Sequence, residues 1–324
     1  MSPLFEPALI SLLVVVAGAA GVDLALTILI LGIAPMLGWA APPGDLIYLQ
    51  APSVIAAGLA MYLAEAAMER HPAGFSVWHT FQRWVRLLGL ILIAEMGTAG
   101  MSPDTRWPAA LLMVIVGLAS YVAASGWQGM VILRQLPRRT QALAAGGIDV
   151  AFAALLVLAL ERPIQALLGL VAVTALVTPR LPIAVRGHRA VIDAGRSWLR
   201  SLFGPGEWVE PRELPRNVHG ALASMEDEPI STPRGTPALL LSEGLQRGWL
   251  LAGPGGAWFV TRRSRALRLR LREQAVGAGD PLYARLPVTV GERDADLLVH
   301  RDGPGRKELE REIPSANRNA DATG

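Results

Sequence analysis

The chain has 324 residues, of which 52% are hydrophobic and 18% are charged, and its formal net charge is only +3. It contains no cysteine, which excludes disulfide bonds, thiolate metal sites and cysteine nucleophiles. Its five histidines lack the spacing of a metal site, so we expect no metal. The long apolar segments lie before Thr178 and the charges crowd into the remainder, which predicts two regions in different solvents.

The first region contains six apolar segments, and each is a candidate transmembrane helix because about 20 apolar residues span a bilayer. These segments are residues 8–39, 51–69, 87–101, 109–133, 147–160 and 163–177. The first is interrupted by small residues next to Asp23, so it is either one broken span or a re-entrant pair. A similar stretch at 120–129 predicts a second break, which would make the first and fourth spans related halves of an internal repeat.

The arginines predict the orientation of these spans. With a cytoplasmic N-terminus, the outer loops carry only Arg106 and Arg162. The cytoplasmic loops then carry Arg70, Arg83, Arg86, Arg134, Arg138 and Arg139. The sequence therefore predicts an α-helical transmembrane bundle of about six spans, with both ends of the bundle in the cytoplasm (N-in/C-in).

Two amphipathic segments flank the spans, and both are predicted to lie at the inner membrane surface. One is residues 76–88, for which the alternative is a cytoplasmic extension of the third span, and the other is the basic segment 181–204. Anionic headgroups at the inner face of the bilayer are the expected partners of their basic side chains. The candidate headgroup contacts are Arg83, Arg86, Arg186, Arg189, Arg196 and Arg200.

The region behind the spans is predicted to contain a small β-rich cytoplasmic domain at 237–302, either a barrel or a sandwich, because short strand-like segments recur there. Arg268, Arg270 and Arg272 alternate with leucines, as on a strand with one solvated face, and no nucleic-acid site is expected. The transmembrane domain is then 1–180, followed by the basic helix 181–204, a linker at 205–236 and, after the β-rich domain, a disordered tail at 303–324.

Short motifs in the first half carry a resemblance to a known family. They are AAGVD at 19–23, APSVI at 51–55, YLAE at 62–65, WHTF at 78–81, AAS at 123–125, DVA at 149–151 and ALERP at 159–163. Over residues 8–178 the chain resembles a family of bacterial multi-span integral membrane proteins known as domain of unknown function four-one-two-six, although Asp23 stands where that family usually has a basic or neutral residue. The resemblance implies a helical membrane bundle with no established activity. With the arginine pattern, it predicts a multi-pass protein of the bacterial cytoplasmic (inner) membrane.

Four carboxylates in the predicted spans are the candidate intramembrane polar site: Asp23, Glu65, Glu95 and Asp149. A charge at mid-bilayer costs about 2.5–3.5 kcal/mol by insertion scales, and no arginine or lysine is expected at the same depth. Such carboxylates would be protonated, hydrogen-bonded to backbone or paired with a transported cation. The alternatives are a hydrated interfacial position for Glu65 and Asp149, and close helix packing for the small residues beside Asp23.

Two functions are consistent with these features. The first is a small transporter or permease that uses the mid-membrane carboxylates, and the second is a non-catalytic scaffold that presents the β-rich domain to a protein or lipid partner. An enzyme is not favoured, because the sequence has no recognisable nucleophile arrangement and no phosphate-binding loop, and no cofactor is expected. An enzyme acting on a lipid-linked substrate would need a deep polar cavity at the inner surface.

Overall fold

The computed structural model describes two compact units, Met1–Ile192 and Asp193–Gly324. The first is helical and the second is built around a β-sheet. The described residues are 5–69, 71–134, 138–203, 208–223, 233–242, 244–253, 256–261, 266–272, 283–304 and 306–313. Arg70, which contributes to the predicted orientation, therefore lies outside them.

Long helices make up the first unit, and several begin with a proline, whose missing N–H costs nothing in the first helical turn. In chain order they are α1 (Phe5–Val22), α2 (Leu24–Ile33), α3 (Pro52–Glu69), α4 (Pro72–Thr98), α5 (Pro103–Leu133), α6 (Arg138–Glu161), α7 (Pro163–Val177) and α8 (Leu181–Ser201). Three short 3₁₀ helices join them: Ala34–Leu37, Gly44–Gln50 and Thr178–Arg180. The last residues of α8 belong to the second unit.

Helix α1 is the centre of the helical unit and packs against α4, α5, α6 and α7. Its buried residues Leu13 and Val16 share one core with Leu90 of α4, Met113 of α5 and Leu156 of α6. Small residues allow the close approach of α1 and α5, because a side chain at Gly21 would collide with the backbone of Gly117. This contact supports the packing interpretation of the small residues that precede Asp23.

Several helices have the length and composition of membrane spans. Among the described residues, three are long and apolar enough to cross a membrane, namely Pro103–Leu133, Arg139–Glu161 and Pro163–Ser201. The pair Gly44–Gln50 and Pro52–Glu69, bent by 76°, would make a fourth if counted as one span. Helices Pro7–Val22 and Leu24–Leu37 are apolar but shorter. Together these helices suggest a membrane protein, whereas six spans and their orientation stay a prediction.

The predicted helix breaks have different outcomes. The first apolar segment is broken at Asp23, as predicted, between α1 and α2. The second predicted break is wrong, because α5 runs without interruption through residues 120–129. The glycines in that stretch provide contact surface instead, since a side chain at Gly126 would collide with the backbone of Ala184 in α8. The proposed internal repeat of two broken spans therefore loses its basis.

Residues 76–88 do not form a separate surface helix. They belong to α4, which continues unbroken through residue 98, as in the alternative of an extension of the third predicted span. The buried face of α4 recurs at intervals of three and four residues. That face carries Phe75, His79, Gln82, Arg86, Leu90, Ile93 and Gly97. Large apolar side chains such as Trp84 and Leu88 are exposed on the other face, the reverse of the usual arrangement in water-soluble proteins.

The second unit contains a closed barrel of six antiparallel strands, which confirms a barrel among the two predicted alternatives. The strands are β1 (Arg234–Leu241), β2 (Leu245–Gly253), β3 (Gly256–Thr261), β4 (Ala266–Leu271), β5 (Tyr283–Val290) and β6 (Arg293–His300), and β6 pairs with β1. Phe259, Leu250 and Leu297 fill the interior. On β4, Arg268 and Arg270 are exposed and Leu269 is buried, as the alternation predicts.

Two further helices occupy regions for which the sequence predicted no structure. Helix α9 (Arg216–Ala223) lies in the predicted linker and packs Val218 and Ala221 against the outside of the barrel. Helix α10 (Arg306–Glu312) lies in the predicted disordered tail and contributes Leu309 to the barrel core. Other parts of both predicted regions, 204–207, 224–232 and 314–324 among them, lie outside the described residues.

Candidate functional site

The candidate site is built around the break between α1 and α2. Asp23 stands at this break with an extended backbone, and its Oδ1 accepts a hydrogen bond of 2.8 Å from the backbone N–H of Leu26. The hydroxyl of Thr27 donates to the Asp23 carbonyl oxygen at 2.8 Å. Asp23 is 6% exposed. Its carboxylate therefore caps the first turn of α2, where the helix dipole favours negative charge.

The carbonyl end of α1 is capped by Arg86 of α4. The Nη1 of Arg86 donates to the carbonyl oxygens of Gly21, at 2.5 Å, and of Val22. A broken helix exposes such carbonyls, and burial away from water is tolerated only when they find a donor. The guanidinium also lies 5.0 Å from the ring centre of Tyr121, in cation–π geometry. Both ends of the break are thus satisfied by side chains of the sign that each helix end favours.

Glu65 of α3 is the ionic partner of Arg86, with Nη2 2.7 Å from Oε1. The same oxygen accepts a hydrogen bond from the Gln82 side-chain amide. Arg86 is 2% and Glu65 6% exposed. The prediction of carboxylates without a basic partner is therefore wrong for Glu65. The headgroup contact predicted for Arg86 is wrong as well, because its guanidinium is enclosed in the helical unit.

Asp149 of α6 also lies at the break. A cavity of about 10 Å³ is lined by Asp23, Thr27 and Asp149, together with apolar side chains such as Phe152 and Leu156. This volume is about the minimum that holds one water molecule. Asp149 is also within electrostatic range of the carboxylates of Glu65 and Glu69 and of Arg86. Two of the four predicted site residues thus share one cavity, and Glu65 lies close to them.

The negative charge around the break exceeds the positive charge. In the part of the chain that the structure describes, the carboxylates of Asp23, Glu65, Glu69 and Asp149 interact with one another and with the guanidinium of Arg86. Arg86 neutralises one carboxylate. Of the others, Asp23 is buried and Glu69 and Asp149 are half-buried. Carboxylates held away from water without a counter-charge are disfavoured, which favours binding of protons or a cation at this position.

A layer of polar aromatic side chains adjoins the Arg86–Glu65 pair. His79 is buried, and neither of its ring nitrogens has a hydrogen-bond partner among the described residues. The nearest acid, Glu69, places Oε1 3.6 Å from Nε2 of His79. Tyr121 donates to the His79 carbonyl oxygen at 3.2 Å and meets the His188 ring edge-on at 5.1 Å. Nδ1 of His188 is 2.7 Å from the Ser125 hydroxyl.

Glu95 does not belong to this site. It lies further along α4, and its Oε2 is 2.5 Å from Nη2 of Arg106 in α5. The Glu95 side chain is 40% exposed and the Arg106 side chain 39%. The sequence assigned Glu95 to a span centre without a basic partner, and the structure corrects this. Residue 106 was expected in a loop between spans, whereas α5 begins early enough for Arg106 to reach Glu95.

The other predicted headgroup contacts lie at the surface to different degrees. Arg83 is half-buried, with its guanidinium carbon 5.0 Å from the Trp84 ring centre. The arginines of α8 are exposed, namely Arg186, Arg189, Arg196 and Arg200. Arg200 pairs with Asp302 at 3.1 Å within the second unit. Their contact with lipid stays a prediction.

Sequence reasoning missed most of the layer that surrounds the carboxylates: His79, Gln82, Arg86, Tyr121, Ser125 and His188. A usable signal was present in α4, where residues 75, 79, 82, 86, 90, 93 and 97 form one continuous helical stripe. The opposite face of α4 is the more apolar one, and it was interpreted as the side embedded in the membrane surface. Within the described ranges, no three His, Asp or Glu side chains come together as metal ligands.

Comparison with known proteins gives one match. The model of a family described as "Domain of unknown function (DUF4126)" matches residues 10–180, just over half of the chain. The matched region contains the broken helix and the four carboxylates around it. Comparison with curated proteins and with solved structures found no significant match.

Proposed function

The chain belongs to the DUF4126 family, whose function is unknown, and we propose from the geometry of its site that it is a small membrane transporter of protons or a small cation. One observation carries this proposal: Asp23 and Asp149 line the same small cavity at a helix break inside an apolar helical unit. Helix breaks in transporters commonly mark the ion-binding position. The balancing charge for these carboxylates would be the transported ion.

The ion pair of Arg86 and Glu65 supports this assignment of roles. Because Arg86 already neutralises Glu65 and binds the α1 carbonyls, this pair fixes the geometry of the break. Asp23 and Asp149 are then left to exchange a proton or cation with the two sides of the membrane. Transport requires the cavity to open in turn toward each side, through movement of α2 or α6 against α1.

We also propose the membrane arrangement that the arginines predict. The bundle would cross the bacterial cytoplasmic (inner) membrane about six times, with its N-terminus and the β-barrel in the cytoplasm. Arg134 and Arg139 lie at one end of α5 and α6, whereas Arg106 and Arg162 lie at the other, which supports opposite sides for these two groups. A reporter enzyme that is active only in the cytoplasm tests this arrangement. Fused after residue 203, it should be active.

Flux measurements in proteoliposomes test the transport proposal. Purified wild type, Asp23→Asn and Asp149→Asn would be reconstituted in vesicles with an internal pH dye, and proton influx would be driven by an imposed potential. Sodium and potassium fluxes would be measured in the same vesicles. Either variant should reduce the ion flux to that of protein-free vesicles. The neutral amide does not bind and release a proton as a carboxylate does, and it has no negative charge to balance a cation.

Glu95→Gln is the matched control, because it removes the same charge at an exposed pair outside the cavity. It should transport like the wild type. The proposal fails if wild-type vesicles show no ion flux above protein-free vesicles, or if folded Asp23→Asn and Asp149→Asn proteins transport like the wild type. A membrane scaffold is the alternative that such results would favour.

A further inference from the structure

A second and much larger cavity lies in the helical unit, between α5, α6, α7 and the start of α8. Its volume is about 500 Å³, within the range of small-molecule sites. Small residues leave this space open, among them Ala123 on α5 and Ala151 on α6. The remaining wall is largely apolar, with Trp127, Ile148 and Leu170 among its side chains.

Charge is confined to one position of this wall. Arg180, in the short 3₁₀ helix that precedes α8, is exposed and is the charged side chain among the lining residues. Among the described residues, no carboxylate forms an ion pair with it. Thr174 and Thr178 also line the cavity, and the Thr178 hydroxyl donates to the Thr174 carbonyl oxygen at 2.7 Å. The lining thus offers an apolar volume with an unpaired positive charge.

We propose that this cavity binds one acyl chain of an anionic membrane phospholipid, whose phosphate pairs with Arg180. A largely apolar space of this size offers few polar partners for ordered water, whereas hydrocarbon fills it favourably. A phosphate accepts hydrogen bonds from a guanidinium in a forked geometry. Charge complementarity selects an anionic lipid over a zwitterionic one, because the latter carries its own counter-charge.

The inference rests on the proposed membrane location of the helical unit and does not depend on ion transport. The cavity does not include Asp23 or Asp149. It does share Val22 and Phe152 with the small cavity at the break, so lipid and ion would occupy adjacent positions. Loss of lipid binding and loss of ion flux can therefore be measured in separate variants.

Native mass spectrometry of the detergent-solubilised full chain tests the proposal. The protein would be equilibrated with vesicles of mixed phosphatidylcholine and phosphatidylglycerol and then extracted mildly. Wild type should retain one phosphatidylglycerol per chain. Ala151→Phe should retain little because the ring occupies part of the cavity and obstructs the acyl chain, and Arg180→Gln should lower the preference for phosphatidylglycerol about five-fold.

Two controls separate the cavity from the rest of the surface. Ala154→Phe adds the same ring at an exposed position of α6 outside the cavity, and Arg162→Gln removes an equal charge at the opposite end of α7, also outside it. Both should retain phosphatidylglycerol like the wild type. The proposal is overturned if folded Ala151→Phe retains as much lipid as the wild type, or if wild type retains no lipid or prefers phosphatidylcholine.

A fluorescence measurement locates the acyl chain independently. Bromine atoms on the acyl chain of phosphatidylglycerol quench nearby indole rings, and Trp127 lines the cavity. Trp127→Phe should remove the part of the quenching that comes from Trp127. In Ala151→Phe, which keeps Trp127, that part should also be absent. Persistence of that part in a folded Ala151→Phe protein would place the lipid elsewhere and contradict the proposal.

Discussion

The Arg86 guanidinium lies 2.7 Å from Oε1 of Glu65, and both side chains are buried inside the helical unit. Because the same guanidinium binds the last carbonyls of α1, this pair joins α3 and α4 to the end of a broken helix. The break is therefore a specified feature of the fold, in which Arg86 binds the Gly21 and Val22 carbonyls and Asp23 caps α2. Asp23 and Asp149, which line the cavity at the break, are the residues that would serve the proposed transport.

Removal of Arg86 should destabilise the helical unit strongly. Arg86→Gln leaves Glu65 as a buried charge without a counter-charge, and breaking such a pair costs about 3–5 kcal/mol. Denaturant unfolding in detergent micelles measures the loss. Arg106→Gln is the control, because its pair with Glu95 is partly exposed and such pairs contribute about 0–1 kcal/mol. Equal losses in the two variants would contradict the structural role given to Arg86.

Two substitutions should distinguish the capping role of Asp23 from its role in transport. Asp23→Ala removes the acceptor for the Leu26 N–H, which should cost about 1 kcal/mol in the free energy of unfolding. Asp23→Asn keeps a good cap and should change that free energy little, although it should abolish ion flux. If Asp23→Asn were destabilised as much as Asp23→Ala, this separation would be contradicted. The loss of flux in Asp23→Asn would then reflect loss of stability.

Two glycines should respond oppositely to the same substitution. Gly126→Ala places a methyl group against the Ala184 backbone of α8 and should destabilise the protein by about 1–3 kcal/mol. Gly146→Ala lies in α6 with no atom within 4 Å of the added carbon, and should stabilise it by about 0.5–1 kcal/mol. Unfolding of both variants in the same detergent tests the difference. A stabilised Gly126→Ala protein would refute close packing of α5 on α8.

The β-barrel should lose stability in acid because of His300. Burial lowers the pKa of His300, and no described group bonds its Nδ1. Above about pH 6.5 the residue is neutral in both the folded and unfolded states, so it contributes no pH dependence. Below that pH the unfolded state binds a proton more readily than the folded state does. The free energy of unfolding therefore falls as the pH falls.

Hydrogen exchange of β5 and β6 in the full chain measures this effect. Protection, corrected for intrinsic exchange rates, should fall as the pH is lowered from about 6.5 to about 5.5. His300→Gln removes the titrating group and should flatten this part of the profile. An unchanged slope in His300→Gln would assign the acid sensitivity to other groups.

The sequence predicted the β-barrel strands well because short strand-like segments recur there, and β4 alternates buried and exposed side chains, as Leu269 and Arg270 do, whereas β3 is buried along almost its whole length. It missed α9 because Pro215 and Gly220 favoured a linker, although Leu214, Val218 and Ala221 recur at helical spacing. It missed α10 because that helix is charged at every position except Leu309, which packs in the barrel core together with Ile313, the residue after the helix.

The site was predicted less completely, for a different physical reason. Asp23 and Asp149 could be found because carboxylates are rare in apolar segments. The Arg86–Glu65 pair could not, because the stripe in α4 indicates that Arg86 faces inward but not that this face meets Glu65 of α3. The loop rule for arginines also placed Arg86 at the membrane surface, whereas the polar stripe of α4 turns it inward.

The exposed apolar surface of the helical unit should face hydrocarbon, and the accessibility of single cysteines to a water-soluble reagent measures this. The cysteine-free chain permits single cysteines at Leu88, Leu111 and Leu168, all exposed in the structure, and at Arg186 as a control. A membrane-impermeant thiol reagent applied to membranes open on both sides should label only the Arg186 position. Equal labelling of the three leucine positions would contradict the account, because it would place that surface in water.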